Sequence, residues 1–299
     1  MRRNQLRIDS LFLLIALVFG ALPLVAQDEA VECEEDADYG ERAQAAVVAE
    51  EFDAAIDAYT CLIERDAEDY EAYLGRAIAA LLAGVENADF SFNALGDLDQ
   101  VAAGAPELID ETIARQTAEI AARADEVSPY ALRGYFYLYL RQVDRAILDF
   151  DRVISLNPDS QFGYLYRGIS NLLLANDAKA ASDFRQVADG EIDNPSVLAL
   201  IGAIYTERQQ GEEALEYLDQ AIALDASNPE FYSYRAFANT LVEDFAAAEA
   251  DYTAAINLDP ENADYYAGRA YIYSLMGRSD RLIADLTEAL DSAPDYQRG

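Results

Sequence analysis

Large apolar side chains recur at spacings of three and four residues along most of the chain, a pattern typical of helices that bury one face. Residues 130–140 and 145–156 show it in two neighbouring segments, and a short polar turn separates them. A proline or an Asn-Pro pair closes several second segments, at the point where a helix ends. The pattern predicts an all-α chain built from pairs of helices.

These helix pairs repeat with a period of 34 residues, and five copies stay in register. One first-helix position reads Arg133, Arg167, Ile201, Arg235 and Arg269, and a Gly or Ala follows each. Two second-helix positions repeat with it: Ala146, Ala180, Ala214, Ala248 and Leu282, then Phe150, Phe184, Leu218, Tyr252 and Leu286. A period of this length predicts stacked hairpins, because one pair cannot bury its apolar face alone.

The order of an aromatic residue, a Gly or Ala position, an alanine, a second aromatic position and a closing proline resembles the tetratricopeptide repeat (TPR) family. The resemblance implies a right-handed α-solenoid of about seven helix-turn-helix repeats. Repeats 3 to 7 are contiguous and cover residues 127–160, 161–194, 195–228, 229–262 and 263–296. They depart from the family in lacking tryptophan, and Asp193-Asn194-Pro195 displaces the proline of one repeat.

The same template fits twice more upstream, with distortions. Repeat 1 covers residues 36–69, and repeat 2 covers residues 70–108 with an insertion in its turn near residues 84–90. Residues 109–126 then remain, and Pro106 stands just before them, where a helix can begin. We expect one extra helix there, which should bend or offset the stack.

An arginine on the first helix and an aspartate on the second form another periodic feature. The expected pairs are Arg76–Asp97, Arg133–Asp149, Arg167–Asp183, Arg235–Asp251 and Arg269–Asp285. Repeat 5 lacks both partners and has Ile201 and Tyr217 instead, so the pair should meet within a repeat rather than between repeats. We expect these pairs to specify register more than to add net stability. Repeat 1 departs from the rule, because Arg42 faces Ala58.

The first 26 residues have the pattern of a secretory signal peptide. A basic lead precedes the uncharged stretch 11–26, and an acidic segment, residues 27–35, follows. We expect cleavage after Ala26 and a secreted or periplasmic protein, although Leu24 stands where a small residue is preferred. An uncleaved anchor facing outside is the alternative, but the stretch is short for a span of about 20 residues.

Export changes the interpretation of the two cysteines, because thiols outside the cytoplasm tend to oxidise. Cys33 precedes the first helix of repeat 1, and Cys61 lies near the end of its second helix. An antiparallel hairpin brings these ends together. We predict a disulfide that staples the N-terminal edge of the stack, where a solenoid frays; two unpaired thiols are the alternative.

Charge and composition exclude several classes of function. Acidic residues outnumber basic ones by 56 to 21, and a chain with a formal charge of −35 repels nucleic-acid backbones. The sequence has no histidine, which removes imidazole catalysis and most zinc sites. No segment has the pattern of a calcium-binding loop. We expect no cofactor, no metal and no enzyme; a glycosidase that uses two carboxylates is a distant alternative.

The resemblance also implies a concave face, lined by first helices, that binds an extended segment or a helix of a partner. The candidate lining residues are Tyr135, Tyr139, Phe162, Leu165, Ile169, Phe237 and Tyr271. Packing between neighbouring repeats is the alternative for each of them. The clamp by which some family members hold a C-terminal carboxylate has no counterpart here.

The last repeat offers a second surface. Ile283 and Leu290 stand where Ile147 and Ile154 should pack on a following repeat, and uncapped solenoid ends expose apolar surface. We therefore expect self-association or partner docking at this end. The acidity either attracts a basic partner or serves solubility.

These features together predict a non-catalytic, exported scaffold that binds a peptide or helix of a partner protein. A membrane-tethered assembly factor is the second interpretation, and a carboxylate-based enzyme is a distant third.

Overall fold

The computed structural model of the chain describes residues 31, 33–34, 37–87, 94–190 and 194–292. All regular structure within these residues is helical, and the helices follow one another in hairpins. They are α1 (Tyr39–Val48), α2 (Phe52–Arg65), α3 (Tyr70–Asn87), α4 (Ala94–Gly104), α5 (Glu107–Ala122), α6 (Ser128–Tyr139), α7 (Val143–Leu156), α8 (Gln161–Leu173), α9 (Asp177–Asp189), α10 (Pro195–Glu207), α11 (Gly211–Leu224), α12 (Pro229–Leu241), α13 (Phe245–Leu258), α14 (Ala263–Leu275) and α15 (Ser279–Ser292). The predicted signal peptide lies outside the described residues.

The chain divides into two compact parts, residues 1–192 and residues 193–299. The N-terminal part contains α1 to α9, and the C-terminal part contains α10 to α15. Inside each part, every helix packs mainly on the helices that precede and follow it in the chain. This consecutive pairing is the packing of a TPR solenoid.

In repeat 1 and repeats 3 to 7, the turn inside the hairpin has one residue with a left-handed backbone. These residues are Glu50, Arg141, Ala175, Gln209, Glu243 and Gly277. The last five are 34 residues apart, so the sequence period is also a period of backbone conformation. Only Gly277 adopts this conformation without steric cost, at φ 70°. In repeat 3, the amide of Gln142 donates to the carbonyl of Tyr137 at 2.8 Å, which closes the end of α6.

The first helices of repeats 4 to 7 begin at side-chain caps that share the same period. Ser160, Asn194, Asn228 and Asn262 precede these helices, and each side-chain oxygen accepts a hydrogen bond from a backbone amide of the first turn. The three asparagine bonds are 3.0 Å long. Such caps satisfy amides that have no partner inside the helix, so they fix where each hairpin begins.

The small residue after the periodic arginine allows the two helices of a repeat to approach closely. A Cβ atom added at Gly134 would lie 2.8 Å from the ring of Phe150, and one at Gly168 would lie 2.6 Å from the ring of Phe184. Both rings are fully buried. The small residue on the first helix therefore packs directly against the aromatic ring on the second helix of the same repeat.

Two predictions about repeat 2 and its neighbour have different outcomes. The turn insertion near residues 84–90 is wrong for its first half, because α3 continues as a helix to Asn87. Alanine and leucine dominate the end of α3, and both favour a helix; residues 88–93 lie outside the described residues. The extra helix is present as α5, which begins at Glu107, two residues earlier than predicted.

All five predicted arginine–aspartate pairs form, and each joins the two helices of one repeat. In repeat 3, Nε and Nη2 of Arg133 donate to the two carboxylate oxygens of Asp149 at 2.8 and 2.7 Å. The other four pairs have the same two-bond geometry. The hydrogen bond to Asp149 raises the pKa of Arg133. The five aspartates are buried, at 4–5% exposure.

Repeat 5 fills the same place with apolar contacts. Ile201 and Tyr217 are both buried, and the ring of Tyr217 stacks on Tyr205 at 5.6 Å between centroids. Because both charged partners are replaced together, no buried charge is left unpaired. A pair can be lost in this way without a large cost in folding stability.

Each periodic arginine also makes a contact that sequence reasoning missed. Its Nη1 atom donates to a residue sixteen positions earlier, on the helix that immediately precedes the repeat of that arginine. The acceptors are Thr60, Thr117, Asp151, Asp219 and Thr253, at 2.7–3.2 Å. One guanidinium thus holds three helices, two of its own repeat and one before it. Three of the acceptors are threonines and two are aspartates, so no single residue type in the sequence shows their common role.

The N-terminal edge is held by the predicted disulfide. Cys33 and Cys61 are bonded, with their Cα atoms 5.6 Å apart. Val31, Cys33 and Ala37 pack against the buried cluster that contains Tyr39 and Cys61. These residues before α1 therefore cover one side of the first hairpin. Ala58 stands on α2 where the other repeats have the pairing aspartate, and Arg42 instead pairs with Glu34 at 3.1 Å.

The two carboxylates bound to Arg235 provide a test of which contact matters. Asp251 is buried and also accepts from Asn239, whereas the side chain of Asp219 is 62% exposed. We predict that Asp251→Ala lowers the free energy of unfolding by about 3 kcal/mol, because it removes the buried carboxylate that accepts two hydrogen bonds from Arg235 and leaves only the exposed Asp219 as its ionic partner. Asp219→Ala should cost less than about 1 kcal/mol. Urea denaturation of both variants measures this, and equal losses would contradict the prediction.

Candidate functional site

Four of the seven residues predicted to bind a partner are buried within the repeats. Tyr135, Phe162, Leu165 and Ile169 have at most 5% of their surface exposed. Tyr135 meets Tyr166 edge to face at 5.0 Å, and Phe162 packs on Tyr166 at 4.4 Å. The prediction that these four residues contact a partner is wrong, because they are buried where α6, α7 and α8 pack together. The helical spacing of these apolar residues therefore indicates the core of the repeats rather than a binding surface.

The remaining three have different surroundings. Tyr139 is half-buried, and its hydroxyl donates to the carbonyl of Leu98 and lies 3.0 Å from Asp99 Oδ1, so it holds α6 to α4. Phe237 and Tyr271, in the C-terminal part, are 38% and 54% exposed. Only these two of the seven present a substantial open surface, and their role as partner contacts stays a prediction.

The N-terminal part contains a cleft of about 680 Å³. One wall is a stripe of α3 at helical spacing (Glu71, Leu74, Gly75, Ile78 and Leu82), and the other is a stripe of α5 (Leu108, Glu111, Thr112, Arg115 and Gln116). Val47, Tyr59 and Leu132, from α1, α2 and α6, complete it. Ligand sites in proteins commonly have this volume and a largely apolar lining with a few polar groups.

The cleft is buried at its floor and charged at its rim. Leu74, Leu132, Thr112 and Gln116 are buried, whereas the three charged residues of the lining are exposed. The ring of Tyr59 lies against Gly75, where an added Cβ would come within 2.4 Å of it. Glycine at this position therefore makes room for the ring in the side of the cleft.

The period of 34 residues explains why a cleft forms beside α5. Arg133 donates to Thr117 on α5 in the same way that Arg167 donates to Asp151 on α7, so α5 stands before α6 as a second helix stands before the next repeat. In this register Thr112, Arg115 and Gln116 occupy the positions of Ala146, Asp149 and Phe150. Their equivalents in repeat 3 pack beneath a first helix, whereas these three line the cleft.

Helix α5 has no first helix of its own, because α4, which precedes it, is paired with α3. Asp97 on α4 pairs with Arg76 on α3 at 2.9 and 2.7 Å, which makes α4 the second helix of repeat 2. Thr112 and Gln116 on α5 are polar where the equivalent residues of repeat 3, Ala146 and Phe150, are apolar. Aligning α5 with the second helices of the later repeats would have predicted these polar positions. That alignment requires knowing that α5 acts as a second helix.

Two polar side chains of the cleft lack strong partners in the part of the chain that the structure describes. Arg115 donates one hydrogen bond, to Thr112 Oγ1 at 3.2 Å, and forms no ion pair with any carboxylate of the described residues. Gln116 is 8% exposed, and its amide has no hydrogen-bond partner among those residues. Burial raises the pKa of Tyr59, and the charge of Arg115 partly opposes this. The positive charge of Arg115 therefore acts on Tyr59, another residue of the cleft lining.

The predicted association surface on α15 is open. Ile283 and Leu290 are 60% and 52% exposed, and Leu286 lies on the same face. Phe150, which is equivalent to Leu286, is fully buried in repeat 3. The face of α15 that is equivalent to a repeat-to-repeat contact is thus accessible in the described part of the chain.

The remaining chemistry of the described residues is limited. None of their helices is long and apolar enough to cross a membrane. Across residues 31–292, leaving aside the gaps, no three acidic or cysteine side chains are grouped so that they could hold a metal ion. The candidate sites are therefore the cleft and the exposed face of α15.

Comparison with known families identifies the repeats. A family model described as "Tetratricopeptide repeat" matches residues 127–160 and 263–296, and a second with that description matches residues 41–84. A model described as "TPR repeat" matches residues 202–240. The chain belongs to the TPR family.

Solved structures share the fold at low sequence identity. YrrB, described as a TPR protein with an unusual peptide-binding site, is 19% identical over 61% of this chain and 94% of its own, with a TM-score of 0.50. A MamA structure is 16% identical over 57% of this chain and 94% of its own, with a TM-score of 0.51. MamA from Desulfovibrio magneticus RS-1 is 15% identical over 56% and 96%, with a TM-score of 0.50. These similarities concern the fold alone.

Proposed function

We propose that this protein is a non-catalytic scaffold that binds a peptide or helical segment of a partner protein in the cleft between α3 and α5. The observation that carries the proposal is the cleft itself, with two apolar helix stripes, a buried polar floor and a charged rim. A short segment can fill such a groove with a few apolar anchors, while polar groups fix its orientation.

Membership of the TPR family supports this proposal, and so does the peptide-binding site named in the description of YrrB. The cleft has the raised apolar walls that peptide grooves need, and it has no cluster of catalytic groups among its lining residues. The predicted first-helix aromatics contribute little to it, because most of them form the core.

Apolar-to-charged substitutions on the two walls test the cleft. Peptides selected from a phage-displayed library of random 12-residue sequences against the full chain are the probe. We predict that Ile78→Arg on α3 and Leu108→Arg on α5 each weaken their binding at least about tenfold, because a charge then occupies an apolar anchor site. Isothermal titration calorimetry measures the affinities.

The matched control is Leu148→Arg, on a surface leucine of α7 that is 69% exposed. It should leave binding unchanged, and circular dichroism should show equal helicity in all three variants. Peptides that bind both cleft variants as tightly as the unmodified chain would contradict the proposed site.

We also propose that the protein is exported after cleavage following Ala26. The Cys33–Cys61 bond supports this, because disulfides persist in oxidising compartments. Mass spectrometry of the protein isolated from its native cells should give an N-terminus at Gln27. An intact N-terminus in the membrane fraction would support the tethered assembly factor instead.

A second proposal concerns the exposed face of α15, which we propose pairs with the same face of another copy. Ile283 and Leu286 present apolar surface at the place where a further repeat would pack, and a second copy offers the same surface in return.

Sedimentation velocity tests this pairing. We predict that the full chain forms a dimer and that Ile283→Glu shifts it toward the monomer, because a carboxylate on each partner would be buried unpaired. Leu148→Glu is the control at an equally exposed leucine. A monomer before and after the Ile283 substitution would contradict the pairing.

A further inference from the structure

We infer that the cleft selects a segment with an acidic residue at one end of a short apolar core and a basic residue at the other. This inference rests on the proposed function and adds to it the chemistry and direction of the partner segment. It follows from three groups of the lining: the Arg115 guanidinium, the Gln116 amide and the two rim glutamates.

Arg115 specifies the acidic residue. In every complete arginine–aspartate pair of the chain, a buried carboxylate on the second helix receives two hydrogen bonds from an arginine on the first. At the equivalent position of α5 the charge is reversed, because Arg115 replaces the aspartate. A ligand that lies on this face therefore completes the pair by supplying a carboxylate.

Arg115 has no carboxylate partner among the described residues, which is notable in so acidic a protein. The formal charge is −35, and the five periodic arginines are each bound to an aspartate. Glu111 lies one helical turn before Arg115, yet no described carboxylate comes within ion-pair distance of it. Two or more of its N–H groups are therefore available to a ligand.

Gln116 specifies a polar contact at the floor. Gln116 is 8% exposed and lines the cleft, and its amide atoms are not among the fully buried polar atoms without a partner, so they open onto the cleft. Phenylalanine occupies the equivalent position in repeats 3 and 4, so an apolar residue is compatible with this register. The amide can both donate and accept, which matches a peptide backbone that passes over it.

The two glutamates specify the basic residue and the direction. Glu71 lies in the first turn of α3 and Glu111 near the start of α5, and both line the cleft, with Arg115 one turn beyond Glu111 along α5. Along α5, Glu111 therefore precedes Arg115. A segment with one basic and one acidic residue matches this order in one direction only, and the reverse direction places like charges together.

The first experiment exchanges the charges. Peptides selected from the 12-residue library by the full chain should share an Asp or Glu and, several residues away, a Lys or Arg. Arg115→Glu should weaken their binding about tenfold or more. A synthetic version with the acidic residue changed to Lys should bind Arg115→Glu more tightly than it binds the unmodified chain.

The second experiment separates binding from folding. Gln116→Leu should leave the thermal midpoint unchanged or raise it, since the amide has no partner to lose, while it weakens peptide binding by about fivefold to tenfold. A purely structural role for Gln116 predicts the reverse: a lower midpoint and unchanged affinity. Leu148→Gln, on the exposed face of α7, is the control for both readouts.

The outcomes distinguish the inference from the proposed function. Peptides that lose affinity on Ile78→Arg but show no acidic residue and no response to Arg115→Glu would overturn the inference and leave the cleft as the site. Peptides indifferent to Ile78→Arg, or a library without any binder, would overturn both.

Discussion

The pairing of one arginine with one buried aspartate in each repeat is the interaction on which the rest of the structure depends. A bare carboxylate at 4–5% exposure is unfavourable, so the aspartate requires its arginine in one fixed place. The same guanidinium binds the preceding second helix through Nη1. Register within a hairpin and register between hairpins are thus set by one side chain, around which the glycine or alanine position and the buried aromatic ring pack.

The same rule explains the place where the array departs from it. Helix α5 contacts α6 as a second helix does, through Thr117 and Arg133, but α4 is held to α3 by Asp97 and Arg76. One face of α5 is left without a first helix, and it bears Thr112, Arg115 and Gln116 rather than alanine, aspartate and phenylalanine. The cleft is therefore a repeat position with one helix missing, and at the aspartate position of that repeat Arg115 carries the opposite charge.

Much of the fold could be predicted from the sequence because it repeats. Five copies showed that Arg133 and Asp149 vary together, and the exception at Ile201 and Tyr217 assigned the pair to one repeat. The disulfide followed from the hairpin, since Cys33 and Cys61 stand at ends that meet. The helical end of α3 was missed, because the template has a turn there and one copy cannot show an extension.

The site could not be predicted in the same way. Spacing places Phe162 and Ile169 on first helices, but it does not distinguish a concave surface from a contact between repeats, and both side chains are buried. Gln116 and Arg115 appeared unremarkable, because they occur in the one segment without a copy to compare. Their meaning depends on α4 packing on α3, which is a tertiary choice between two partners rather than a local pattern.

A double-mutant cycle on Arg133 and Asp149 tests the central claim most directly. Arg133→Met and Asp149→Leu are measured alone and together by equilibrium denaturation of the full chain. If the pair sets the register, each single change leaves a buried charge unpaired, and the double change costs at least about 2 kcal/mol less than the two single losses combined. Additive losses, with no coupling between the two positions, would contradict the account.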